Sequence, residues 1–152
     1  MSPFSKFQSH DESYGFVFWQ TYMLWSRKIK RALKPFQLTH TQFVILSVVA
    51  YVQQSQPVAS QADVSHLSKI DKMTISTSVK TLRKNGYLSL QRHAEDARVN
   101  GLVLSEAGKA IQQQALAAIE AVDEQFFTKA IHSTDTFIHT LHMLQQANEQ
   151  DE

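Results

Sequence analysis

The apolar residues of this chain repeat with two different periods, and one helical segment after another gives way near residue 87 to alternation. Phe16, Trp19, Tyr22/Met23, Ile29 and Leu33 recur at helical spacing, with Ser26 a polar lapse. Ser9-His10-Asp11-Glu12 has the form of a capping box and predicts the start of this helix. Lys34-Pro35 predicts its end, because the residue before proline is pushed out of the helical region. A second box, Thr39-His40-Thr41-Gln42, opens a short and largely buried helix through Phe43 to Val52. Ser60 is placed to cap a third helix with Ala62, Val64 and Leu67, and Asp71 a fourth with Ile75, Val79 and Leu82 on one face. Asn85-Gly86 stops that fourth helix, glycine being suited to the left-handed position beyond a last turn.

Tyr87 to Arg92 then alternates apolar and polar, as does Val99 to Leu104 more loosely, and His93 to Arg98 forms a polar loop between them. That is the pattern of a β-hairpin. Ser105 caps a long helix through Ile111, Ala115, Ile119, Val122 and Phe126. If it runs to His132 it is about 40 Å long. Ser133-Thr134-Asp135 restarts the chain into a last amphipathic helix with Phe137, Leu141 and Leu144. Two short helices joined by Lys69 to Asp71 and followed directly by a hairpin make a winged helix, in which one helix enters the major groove and the hairpin follows the backbone. The expected architecture is mainly α: a winged helix-turn-helix with a β-hairpin wing at about 36–104, flanked by dimerisation helices at about 9–34 and 105–148, in one domain spanning 1–152.

Composition narrows the chemistry. Without cysteine there are no disulfides, thiolate metal sites, thiol redox sensors or cysteine nucleophiles. No leader-like or membrane-spanning apolar run is visible, so a cytoplasmic protein with no membrane partner is expected. The net charge of +1 conceals a division along the chain. Residues 27–98 carry twelve Lys/Arg against four acids, whereas residues 99–152 carry two against eight. A basic centre between acidic flanks suits a polyanion, although clustering on solvated faces gives the same count.

At the wing, Asp96-x-Arg98 is followed after an apolar strand by Leu104-Ser105-x-x-Gly108. Together with Leu38-Thr39-x-x-Gln42-Phe43 and Leu82-x-Lys84-Asn85-Gly86-Tyr87, this pattern resembles the multiple antibiotic resistance regulator (MarR) family over about residues 12–147. The resemblance implies a homodimeric, DNA-binding transcriptional regulator, usually a repressor on an inverted repeat, often with a small phenolic anion as effector. It also implies that Arg98 reaches the minor groove while Asp96 shapes the wing tip. The recognition helix departs from the family in starting with Lys72-Met73 and in carrying Thr77 where an arginine is common, so base preference does not carry over.

The residues themselves support the same interface. With Ile75, Val79 and Leu82 turned inward, Lys72, Thr74, Ser76, Thr77, Lys80 and Arg83 fall on other faces, where hydroxyls and cations suit phosphates and base edges. Solvated surface residues would look the same one by one. Arg92 and His93 are weaker candidates for backbone contact, and Asn100 weaker still. The run Arg27-Lys28-x-Lys30-Arg31-x-x-Lys34 reads equally as a solvated face or a phosphate contact. Phe126, Phe137, Ile138, Leu141 and Leu144 are the expected dimer contacts. Trp19, Tyr22 and Phe43 are candidate walls of an aromatic or anionic effector pocket, with Arg27 or Lys28 nearby, although aromatics at helical spacing are more often plain core. Two rivals remain. One is a zinc-type metal-responsive regulator using His132, His139 and His142; the other is a winged helix used only for protein contacts. No cofactor, resident metal or enzymatic motif is expected.

Overall fold

The computed structural model describes residues 5–92, 100–130 and 132–151, without the side chains of Asn100 and Asp151. Its helices are α1 (Tyr14–Leu33), α2 (His40–Val52), α3 (Gln61–Ser68), α4 (Lys72–Lys84), α5 (Glu106–Thr128) and α6 (Thr134–Asn148). A three-stranded antiparallel sheet has the order β1 (Ala59–Ser60), β3 (Asn100–Leu104), β2 (Leu88–Arg92). The fold is a winged helix flanked by long terminal helices.

The caps explain most of these boundaries. In α2 the Thr39 hydroxyl accepts from the Gln42 amide at 3.1 Å, and the Gln42 side chain accepts from Thr39 N at 3.0 Å. Ser60 and Asp63 make the same reciprocal pair at the start of α3. Each box satisfies donors that the first helical turn leaves unpaired. The first helix differs from the expectation. Ser9 caps only a single 3-10 turn, His10–Glu12, and Glu12 accepts from Gln8 N rather than from its own cap. Ser13 then caps α1, which starts at Tyr14. The long helix also stops earlier than expected, at Thr128. Its 23 residues span about 34 Å.

The core is concentrated in the winged-helix part. Ile45, Leu46 and Val49 of α2 meet Val64 of α3, Ile75, Val79 and Leu82 of α4, and Leu102 and Leu104 of β3. Ile29 and Leu33 of α1 and Ala115 and Ile119 of α5 close it from the other side. Each fully buried aliphatic side chain is worth about 1.5–3 kcal/mol of apolar transfer, set against the entropy of fixing it. Gln53, just after α2, donates to the Pro57 carbonyl and accepts from Leu104 N at 3.0 Å, tying the end of α2 to the wing strand.

The segment Leu104-Ser105-x-x-Gly108 acts as a clasp. The Ser105 hydroxyl caps α5 through Gly108 N and donates to the Gly86 carbonyl, while Ser105 N donates to the Tyr87 carbonyl. A Cβ at residue 108 would collide with that Tyr87 carbonyl. Gly86, at φ 80°, occupies the left-handed region that lets α4 turn into β2. These contacts fix the recognition helix, the wing and α5 to one another.

Candidate nucleic-acid interface

α4 is amphipathic in the simplest sense. Ile75, Val79 and Leu82 are buried, while Lys72, Thr74, Thr77, Lys80 and Arg83 are exposed. Ser76 is half-buried on the flank of the helix. At about 100° per residue, the line opposite the buried triad runs through Met73, Thr77, Lys80 and Lys84, with Thr81 beside it. Met73, Thr81 and Lys84 are therefore outward positions that a reading limited to obvious phosphate ligands passed over. Their signal is present in the spacing, in the first, third and fourth turns of α4.

Not all the polar groups on this face are free to donate. Asp71 caps α4 and accepts from Thr74 N at 2.8 Å and from the Thr74 hydroxyl at 2.7 Å. Those bonds, the hydroxyl first, hold the Asp71 carboxyl below the usual carboxylate range. Thr77 donates its hydroxyl to the Met73 carbonyl at 3.1 Å. Both threonines thus face outward mainly as acceptors and methyl groups. The cations Lys72, Lys80, Arg83 and Lys84 supply the positive field around them.

The wing is an antiparallel pair with Leu88 opposite Leu104 and Arg92 opposite Asn100. Arg92 is exposed at the end of β2, next to the tip. His93, Asp96 and Arg98 lie outside the described residues.

The three expected effector walls differ in exposure within the chain. Phe43 is 6% exposed and belongs to the core, whereas Trp19 and Tyr22 stand 56% and 43% exposed on α1 with their rings 6.3 Å apart. The physical reason is that Phe43 falls on the buried face of α2, and the first half of α1 projects beyond the core. Trp25 is the aromatic that sits at the junction. Its indole donates to Asp123 at 2.8 Å, and its ring lies 5.2 Å from His40 and 6.3 Å from Phe127. Burial lowers the His40 pKa, with Asp123 opposing that shift.

Two clefts flank the second half of α1. One, of about 440 Å³, has Lys28, Arg31 and Lys129 around Ala32, Val122 and Phe126. The other, of about 850 Å³, is lined by Ser26, Arg27, Lys30, Arg31, Lys34 and His40 among others. His139 and His142 are exposed on α6, and among the described residues no group of three His, Asp or Glu side chains is gathered as a metal site. No described helix is long and apolar enough to cross a membrane.

Fold and surface define the class, a winged-helix DNA-binding transcriptional regulator. Residues 27–115 match the family model described as transcriptional regulator SarA/Rot, and the chain belongs to that family. It is 35% identical to the HTH-type transcriptional regulator YdcH of Bacillus subtilis (strain 168) over 127 residues, covering 84% of this chain and 86% of that one. Among solved structures, CouR of Rhodococcus jostii RHA1 bound to p-coumaroyl-CoA superposes with a TM-score of 0.80 at 20% identity, over 93% of this chain and 95% of the other. The M. tuberculosis regulator MOSR in complex with DNA gives 0.76 at 20% identity, over 93% and 99%. A MarR-family transcriptional regulator from Rhodococcus sp. RHA1 gives 0.75 at 19% identity, over 94% and 96%, so the family resemblance read from the sequence is met at the level of fold. These relatives are regulators of transcription, not enzymes.

Proposed function

We propose that the chain acts as a homodimer that reads an inverted-repeat operator and represses transcription by occupying it. The observation that carries this reading is the exposed face of α4, where four cations surround a row of outward side chains on a helix anchored from behind by Ile75, Val79 and Leu82. Such a helix enters a major groove, and a two-fold pair would place two of them about 34 Å apart, one turn of DNA. Lys72, Lys80 and Arg83 serve phosphates, Thr74, Ser76 and Thr77 face base edges, and Arg92, Asp96 and Arg98 form the wing contact.

The dimer reading is supported by α6, which has no buried residue. Ile138 and Leu144 are 51% and 57% exposed, and Phe16, Phe18 and Trp19 of α1 are exposed as well. A helix this apolar and this uncovered is stabilised by packing against a second surface. An effector reading is supported by the α1–α5 cleft, whose apolar floor of Ala32, Val122 and Phe126 and cationic rim of Lys28, Arg31 and Lys129 suit an aromatic anion. CouR, of the same fold, binds p-coumaroyl-CoA, a ligand that is both aromatic and anionic.

Selection of bound duplexes from random DNA, followed by titration at several salt concentrations, tests the main reading. A two-fold symmetric consensus and a steep salt dependence are expected, and Arg98→Ala should weaken binding. A chain that binds no sequence in preference to bulk DNA would instead be a protein-contact module. A panel of aromatic carboxylates and thioesters, added to the bound complex, tests release.

A further inference from the structure

We infer that Met73 is a base-reading residue and that it recognises the C5-methyl group of a thymine in the major groove. The inference rests on the DNA-binding reading of α4 and deepens it. Met73 is 80% exposed at the second position of α4. An apolar side chain so placed contributes nothing to the core, and it lies on the line opposite Ile75, Val79 and Leu82. Residues at the start of a recognition helix are the ones that meet base edges.

Its neighbours sharpen the assignment. The hydroxyl of Thr74 is held by Asp71, and that of Thr77 by the carbonyl of Met73 itself. The two nearest hydroxyls are therefore turned back onto the helix, and Lys72 and Lys80 on either side are cations suited to phosphates or guanine. Beside the short methyls of these threonines, the thioether is the longest and most exposed apolar group at the leading end of α4. Among the groups on the major-groove edges of the four base pairs, the thymine methyl is the apolar one. Methionine, unbranched and with a polarisable sulfur, adapts its three rotatable bonds to such a small target.

The test replaces each thymine of the selected duplex in turn by deoxyuridine, which removes the methyl and nothing else. For the wild-type chain, one position in each half-site should lose about fourfold in affinity, the scale of one methyl withdrawn from an apolar contact. Met73→Ala, which removes the contact from both half-sites of the dimer, should lose about the square of that factor on the thymine duplex and be indifferent to deoxyuridine at that position. Met73→Gln should shift the preferred base there. The side chain is exposed, so thermal melts of both variants should match the wild type, which separates lost contact from lost fold. If deoxyuridine is silent throughout for the wild type, or if Met73→Ala keeps the full sensitivity, the inference is overturned while DNA binding stands. Equal weakening of Met73→Ala on thymine and deoxyuridine duplexes with sensitivity retained overturns it in the same way. A wild-type chain that selects no sequence overturns the DNA-reading proposal, and this inference with it.

Discussion

The winged-helix part and the terminal helices are both rich in large apolar residues, yet they use them in opposite ways. In the first, Ile45, Leu46, Ile75, Leu82 and Leu102 are fully buried against one another. In the second, Phe18, Trp19, Ile138, Met143 and Leu144 are more than half exposed, and α6 buries none of its residues. One region completes its own core within a single chain. The other closes that core through Ile29, Leu33, Ala115 and Ile119 but leaves the first half of α1 and the whole of α6 with open apolar surface, α6 meeting α5 where Phe137 lies against Phe127. Amphipathicity in a sequence thus establishes that a face is to be covered, without saying by what.

The comparison can be broken first in the core. Leu82→Ala should cost about 2–5 kcal/mol in denaturant unfolding, because a closely packed site leaves a cavity. Leu144→Ala, measured at concentrations low enough to keep the chain monomeric, should change stability by less than about 0.5 kcal/mol. Equal costs would mean that α6 is covered by its own chain. A second measurement targets the proposed dimer. Ile138→Asp with Leu144→Asp should yield a monomer by sedimentation and weaken operator binding about a hundredfold through loss of the second half-site, with the fold of the winged helix retained by circular dichroism.

Smaller effects sharpen the surface of α4 against its interior. Lys80→Gln should weaken binding to all sequences by a similar few-fold factor and lower the salt slope by about one, with melting unchanged. The junction between the two regions gives the smallest and most specific effect. Burial lowers the pKa of His40 below 6.5, so folding favours the neutral ring. The stabilisation is complete above the unfolded value and is lost as pH falls through the lowered folded value. His40→Gln should flatten the fall in thermal stability on moving from pH 7.5 to 5.5, about one unit either side of the ordinary histidine pKa. An unaltered pH profile would remove His40 as its source.

Much of this was legible in the residues because it depends on local chemistry. Thr39 with Gln42, Asp71 with Thr74, and Asn85-Gly86 are short-range devices whose partners lie within a turn, and they marked α2 and α4 to the residue. The inward triad of α4 followed from spacing alone. At the first helix the same logic misplaced the boundary, because Ser9 and Ser13 are competing caps and the sequence does not rank them. Strand β1 was missed because two residues show no alternation. It exists only because Ala59 and Ser60 lie opposite Leu102 and Gly101. Which residues wall an effector pocket is not legible for a related reason. Periodicity reveals that Trp19, Tyr22 and Phe43 occupy helices, but whether each meets core, solvent or cleft is set by how those helices cross.

The sequence by itself determined the order of the helices and the hairpin, the caps of α2 to α6, the basic centre and the resemblance to MarR-family regulators. Those properties reside in short-range hydrogen bonding, in the period of apolar residues and in charge, all of which are written along the chain. The tertiary structure decided which side chains are left over once the core is made. It turned Phe43 inward, brought Trp25, His40 and Asp123 together, and left Met73 standing on the outer line of α4. Exposure is a property of packing between distant segments, and the outward face of α4, to which we assign the DNA contact, is what that packing leaves uncovered.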